Sequence, residues 1–159
     1  TFAQGAREIA QRLEENNLPL NDVSTLLLLV GERLATVMGG SSGVLMSIFF
    51  TAAGQKLHDG QSLADALLSG LAQMKQYGGA DLGDRTLIDA LQPALETLQK
   101  NDLQAAAQAA QQGAEATARM GKAGAGRSSY VNKENLDGVM DPGAVAVAEV
   151  FKAMVEAKR

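Results

Sequence analysis

Four segments carry residue types that hold a ligand rather than fill a core: Gly39-Gly40-Ser41-Ser42-Gly43, Gly78–Thr86, Gly121–Arg127 and Asp141-Pro142-Gly143. In the first, glycines let main-chain N–H groups approach a bound group closely, and Ser41 and Ser42 add hydroxyl donors. A helix following them adds unpaired N–H groups and the positive end of its dipole, which suits an anion. The same residues also fit a plain helix stop and restart, with Gly39-Gly40 ending one helix and Ser42 capping the next.

Gly78–Thr86 nearly has the spacing of a P-loop, with Gly78 and Gly83 as its glycines. Asp84 stands where the phosphate-binding Lys belongs and no strand precedes it, so a Walker-type site is rejected. Asp84 reads instead as the cap of the next helix, leaving the loop to lie against a nucleoside. Arg127 offers a guanidinium fork for a phosphate, with a solvated loop Arg as the alternative. Asp141-Pro142 is a helix start, Asp at the cap and Pro at the first helical position. Asp141 or the Gly143 backbone could also touch a ligand there. His58 is the only histidine and there is no Cys. A zinc site and a Ser-His-Asp triad therefore lack their residues, and His58 reads as structural, in the last turn of a helix where a cation is favoured. The Met residues recur at helical spacing and read as core filler.

These segments interrupt a strongly helical pattern. Phe2, Ala6, Ile9 and Leu13 form one apolar stripe, ending near Asn16-Asn17 before Pro19. Asn21 or Asp22 caps a second helix through Leu26–Val30, Leu34 and Val37, apolar nearly all round and expected to be deeply buried. A third helix carries Val44 to Phe50 and stops near Asp59-Gly60. Ser62 with Asp65 resembles a capping box opening a fourth, to about Gln76. A fifth starts near Asp84 with Pro93 inside it, and Asp102 caps an Ala-rich sixth reaching about Met120, whose small side chains invite close helix approach. The last follows Asp141-Pro142 through Val147, Phe151 and Met154. No segment keeps a two-residue alternation, so the fold class is all-α, an up-and-down antiparallel bundle of about seven helices.

The bulk composition agrees. The chain has 159 residues, 46% hydrophobic and 20% charged, enough for one domain with a real core. Aromatics are only 4%, so Ala and Leu must do the packing. A net charge of −4 with no basic stripe gives nucleic-acid binding no electrostatic support. No apolar run is long enough for a membrane span and no signal peptide is visible. The missing cysteines suit a reducing compartment, and a cytoplasmic location is expected. The chain opens inside a helical pattern without an initiator Met, which reads as a fragment or as a chain whose leading residues lie upstream. In an up-and-down bundle alternate connections fall at the same end. With the turns near Pro19, Gly60 and Asn101 at one end, the Gly-rich breaks are expected around the other.

The breaks and their order resemble one family: the C-terminal, nucleotide-binding domain of dihydroxyacetone kinases, also found as a separate L subunit in bacteria. The stretches that carry the resemblance are Val37-Met38-Gly39-Gly40-Ser41-Ser42-Gly43, Gly83-Asp84-Arg85-Thr86-Leu87-Ile88-Asp89, Gly126-Arg127-Ser128-Ser129-Tyr130 and Asp141-Pro142-Gly143-Ala144. Through Gly39–Phe50 the chain looks closer to the single-polypeptide, ATP-dependent enzymes. The resemblance implies a barrel of eight antiparallel helices, the first of them absent here, with residues 1–159 as a single domain. An acidic loop holding two Mg²⁺ ions would precede Thr1, so no metal ligand or catalytic residue is expected in this chain.

The resemblance further implies that Ser41 and Ser42, with Gly39, Gly40 and Gly43, hold phosphate oxygens of ATP or ADP. Gly78, Thr86 and Leu87 would lie near the nucleoside, Arg127, Asp141, Pro142 and Gly143 would close the pocket, and Thr1 would sit at a ligand-contacting position. The partner would be a dihydroxyacetone-binding domain, in the same chain or as a separate subunit, holding its substrate covalently on a His. A homodimer is left open. The chain alone would be inactive and bind nucleotide weakly. Two other readings stand beside this one: the L subunit of a phosphotransferase-dependent kinase with bound ADP, and a non-catalytic helical interaction module.

Overall fold

The computed structural model describes residues 2–120 and 138–158. Among them it has seven α-helices and no strand: α1 Phe2–Glu14, α2 Val23–Met38, α3 Gly40–His58, α4 Leu63–Gly78, α5 Ile88–Leu98, α6 Leu103–Thr117 and α7 Pro142–Ala157. The all-α class expected from the periodicity is the one observed. The chain divides into two compact units, Thr1–Gly78 and Gly79–Arg159.

In the first unit, helices adjacent in sequence pack on one another, α1 on α2, α2 on α3 and α3 on α4. Their ends are chemically marked. Asn16, with φ 58°, closes α1, its N–H reaching the Leu13 carbonyl at 3.2 Å while that of Asn17 reaches Arg12 at 2.8 Å. Gly60, with φ 99°, closes α3 with the same paired pattern to Leu57 and Lys56. The Asp22 carboxylate accepts the Thr25 N–H at 3.2 Å and starts α2, and the Ser62 hydroxyl accepts the Asp65 N–H at 3.2 Å and starts α4. Burial of α2 is narrower than its composition suggests. Only Leu27, Gly31, Leu34 and Met38 are buried, one stripe at helical spacing, while Leu26, Leu28, Leu29 and Val30 stay half-buried. Nor is every Met core filler: Met38 and Met74 are buried, but Met140 and Met154 are exposed.

The second unit packs α5 on α6, α6 on α7 and α5 on α7. The Ala-rich sequence of α6 supplies a buried stripe of Ala106, Ala110, Ala114 and Thr117. Gly113 on the same helix approaches α5 so closely that a Cβ built on it would stand 2.0 Å from the Asp89 carbonyl oxygen. Pro93 explains why that carbonyl is presented: it lies inside α5 and has no N–H to give the residue four positions back. Gly70 plays the matching part in the first unit, where a Cβ would meet the Phe49 carbonyl oxygen at 2.4 Å.

Candidate functional site

In the first unit the ligand-type residues gather at the start of α3. The break between α2 and α3 is shorter than the glycine cluster suggests. Gly39, at φ 66° and ψ 167°, is at once the C-cap of α2 and the N-cap of α3. Helix α3 already includes Gly40, Ser41, Ser42 and Gly43, so Ser42 lies inside its first turn and does not cap it. The reason is conformational: Gly39 and Gly40, at φ 66° and 61°, turn the chain between them, leaving nothing for a longer loop to do.

This start bears no side-chain cap and no acidic residue in its first turn. Its N–H groups and dipole end are therefore not neutralised by the helix itself. The space beside Gly39 and Gly40 is open, with no atom within 4 Å of where a Cβ would stand on either. Ser41 is exposed and Ser42 half-buried, while Gly43 is buried against the Leu34 carbonyl and Met38. Gly78, the last residue of α4, lies with its would-be Cβ 3.0 Å from Leu45 Cδ2, which brings it to the same end of α3. His58 falls at the other end, exposed in the last turn of α3.

The second unit holds a hydrogen-bonded cluster built from the loop before α5, the end of α6 and the start of α7. Asp84 does not cap α5; its carboxylate accepts the Asp81 N–H at 2.8 Å within the loop. The helix begins at Ile88, and Asp89 holds the preceding loop by accepting N–H bonds from Gly83 at 2.7 Å and Thr86 at 2.9 Å. Thr86 Oγ1 accepts the Ile88 N–H at 3.2 Å. The pattern is close to a capping box over Thr86-Leu87-Ile88-Asp89, with the Thr86 hydroxyl taking the Ile88 N–H while the Asp89 N–H goes to the Thr86 carbonyl at 3.1 Å, and it outcompetes a lone Asp two residues earlier because several donors are satisfied at once.

Arg85 sits in this loop at φ 60° with its side chain turned inward and only 1% exposed. Nη2 donates to the Val139 carbonyl, Nη1 lies 3.9 Å from Asp141 Oδ1, and Nε has no partner among the described residues. Asp141 caps α7 as expected, its Oδ2 accepting the Ala144 N–H at 3.0 Å, with Pro142 at the helix start. Its own N–H donates to Thr117 Oγ1 at 2.8 Å, and that hydroxyl donates in turn to the Ala114 carbonyl at 2.5 Å. Burial pushes the Asp141 carboxyl above the usual aspartate range, against the Ala144 N–H, the Arg85 charge and the Gly143 N–H, while the Asp89 charge adds to the rise.

Of the expected site residues, Gly39–Gly43 and Gly78 are thus brought together in the first unit. Thr86, Leu87, Asp141, Pro142 and Gly143 flank one cluster in the second. Thr1 and Arg127 lie outside the described residues. Arg85, Asp89 and Thr117 were given no role from sequence. The Thr-x-x-Asp capping box was a readable signal for Asp89, whereas nothing local marks Arg85 or Thr117 as buried.

The start of α3 fits a phosphate group, through uncapped donors and the open space that the missing Cβ atoms leave. The described residues do not fit a metal centre of their own: they contain no group of three or more His, Cys, Asp or Glu side chains arranged to hold an ion. No helix among them is long and apolar enough to cross a membrane.

This helical architecture, with its two glycine- and aspartate-marked helix starts, has known counterparts. Residues 1–156 match the model of the DAK2 domain, and the chain belongs to that family. It is 63% identical to the dihydroxyacetone kinase of Citrobacter freundii over 99% of this chain and 29% of that protein. It is 40% identical to the triokinase/FMN cyclase of Rattus norvegicus over 98% of this chain and 28% of that protein. The native crystal structure of the C. freundii kinase superposes with a TM-score of 0.86, at 61% identity, over 98% of this chain and 28% of the other. The same kinase in complex with AMP-PNP and Mg²⁺ gives 0.85, at 59% identity, over 98% of this chain and 27% of the other. The chain thus spans less than a third of the length of these relatives.

Proposed function

We propose that this chain is the nucleotide-binding domain of a dihydroxyacetone kinase and presents the γ-phosphoryl group of ATP to dihydroxyacetone held covalently on a separate domain. The carrying observation is the start of α3: an uncapped helix N-terminus with open space beside Gly39 and Gly40 and two serines in its first turn. Such an end binds phosphate oxygens through main-chain donors. The solved relative bound to AMP-PNP and Mg²⁺ supports the same choice of ligand. Its kinship with a kinase of which this chain covers 29% favours the single-polypeptide enzyme over a free-standing subunit with bound ADP.

In this reading the first unit holds phosphate oxygens through Ser41, Ser42 and the surrounding glycines, with Gly78 near the nucleoside, and the second unit offers Thr86, Leu87 and Asp141–Gly143 to the nucleotide. Thr1 and Arg127, outside the described residues, are further contact positions by family resemblance alone. The Mg²⁺ ligands come from outside the described residues, and the metal supplies charge neutralisation for the transferring phosphoryl group. What this chain contributes is positioning, so it needs no nucleophile or general base of its own.

Calorimetric titration of the full kinase with ATP and Mg²⁺ tests this. Ser41→Ala/Ser42→Ala is expected to weaken binding by about tenfold or more, the scale of hydrogen bonds to a charged group. Residues 1–159 alone should form no phosphorylated dihydroxyacetone. Unchanged nucleotide affinity in the double variant, or a domain that binds dihydroxyacetone and not nucleotide, overturns the proposal.

A further inference from the structure

Resting on the nucleotide-binding reading, we infer that Arg85 is a positioning residue that locks the loop before α5 to the start of α7, so that Thr86–Leu87 and Asp141–Gly143 meet the nucleotide as one preformed surface. Arg85 departs from what stability alone would select. A non-glycine residue at φ 60° is held in a sparsely populated region of backbone space. Its guanidinium is 1% exposed, yet Nε is unpartnered among the described residues and the approach to Asp141 is a loose 3.9 Å. A buried charge whose described carboxylate neighbour stands 3.9 Å away is a weak stabiliser. Its value here lies in what it joins.

On one side, Asp89 fixes the loop by accepting from Gly83 and Thr86. On the other, Thr117 fixes Asp141 by accepting its N–H. Arg85 spans the two by donating to the Val139 carbonyl, two residues before the cap of α7. Its immediate neighbour in the chain is Thr86, so any shift of the guanidinium moves a nucleoside-facing position and a helix start together. Asp141 feels two other charged side chains in this cluster, Arg85 from the loop and Asp89 from α5, while α6 contributes the uncharged Thr117. Loss of the Arg85 charge therefore moves protonation of Asp141 to higher pH.

The test uses the full kinase with MgATP as the varied substrate, comparing Arg85→Met, Arg85→Lys and the core variant Leu95→Ala. Misplacing a binding surface without touching the reacting atoms should show in KM. Arg85→Met is expected to raise the KM for MgATP about tenfold with kcat nearly unchanged, and to move the acid limb of the KM–pH profile upward. Arg85→Lys keeps the charge but offers one nitrogen where two are used, so it should recover part of the loss, to about a threefold rise. Leu95→Ala, 1% exposed in the wild type, should lower Tm without moving KM.

A wild-type KM in Arg85→Met, or an equal KM rise in Leu95→Ala, overturns the proposal. If Arg85→Met does not fold, Arg85→Lys decides: a raised KM supports the role and a wild-type KM ends it. Failure of the wild-type domain to take up MgATP would instead remove the nucleotide reading beneath it.

Discussion

The two units treat their ion pairs in opposite ways. In the first, Glu8 Oε1 sits 2.8 Å from both Arg12 and Arg33, with side chains 19–27% exposed. The geometry is good and the surroundings are half-buried. In the second, Arg85 and Asp141 are 1% and 11% exposed, and their closest approach is 3.9 Å. The difference separates two uses of charge. A half-buried pair at the surface keeps part of its water and exchanges the rest for short hydrogen bonds, so it holds the fold only modestly. A buried pair is costly to remove once built, since the remaining partner is left without compensation, however imperfect the pair was.

This comparison breaks most visibly under deletion of one partner. Arg85→Met should destabilise the fold by about 3–5 kcal/mol in urea titration, the usual consequence of orphaning a buried charge. Glu8→Gln should shift the urea midpoint at neutral pH far less than Arg85→Met does. Equal losses in the two variants would mean that the second cluster is better solvated than its burial indicates. Thr117→Val comes next. The shape is conserved, but the Asp141 N–H loses its acceptor at a position with 0% exposure. A loss of about 1–3 kcal/mol is expected, the penalty for one unsatisfied buried donor. A neutral Thr117→Val would show that α7 starts just as well without its tie to α6.

The same contrast explains what could be read from the amino-acid order. Caps at Asp22, Ser62, Asp102 and Asp141 were legible because each depends on a side chain and an N–H three residues away. The positions of the helices followed from apolar spacing, and most of their ends from caps and from Asn, Gly and Pro. The start of α5 was misplaced because Asp84 and Thr86-x-x-Asp89 are competing local signals, and the one that satisfies several donors prevailed. The glycine cluster at 39–43 suggests a longer loop than the structure has, because two glycines at positive φ suffice for the turn and α3 already runs from Gly40. The burial of α2 was overestimated because composition reports which side chains are apolar and not how many neighbours the fold supplies. Arg85 stayed hidden for the same reason: its partners at Val139 and Asp141 are more than fifty residues away in the chain. Long-range pairing of a charged loop residue leaves no periodic trace.

The smallest expected effect is also the sharpest in sign. The Glu8 carboxyl is held below its ordinary value of 4.5 by hydrogen bonds from Arg12 and then Arg33. Its contribution to stability is therefore present above the unfolded pKa and is lost as pH falls through the folded one. Asp141 is raised above 3.8 by burial. The folded state takes up this proton before the unfolded state does, so its contribution is complete below the unfolded pKa and is lost as pH rises through the folded one. Relative to wild type, Glu8→Gln should thus grow less stable as pH climbs from about 3 to 7, and Asp141→Asn, which keeps a capping side chain, should grow more stable over the same interval. Urea midpoints taken across that range would show two difference curves of opposite slope. Parallel curves would mean that Arg85 compensates Asp141 fully despite the 3.9 Å gap, and the distinction between the two ion pairs would then be one of exposure only.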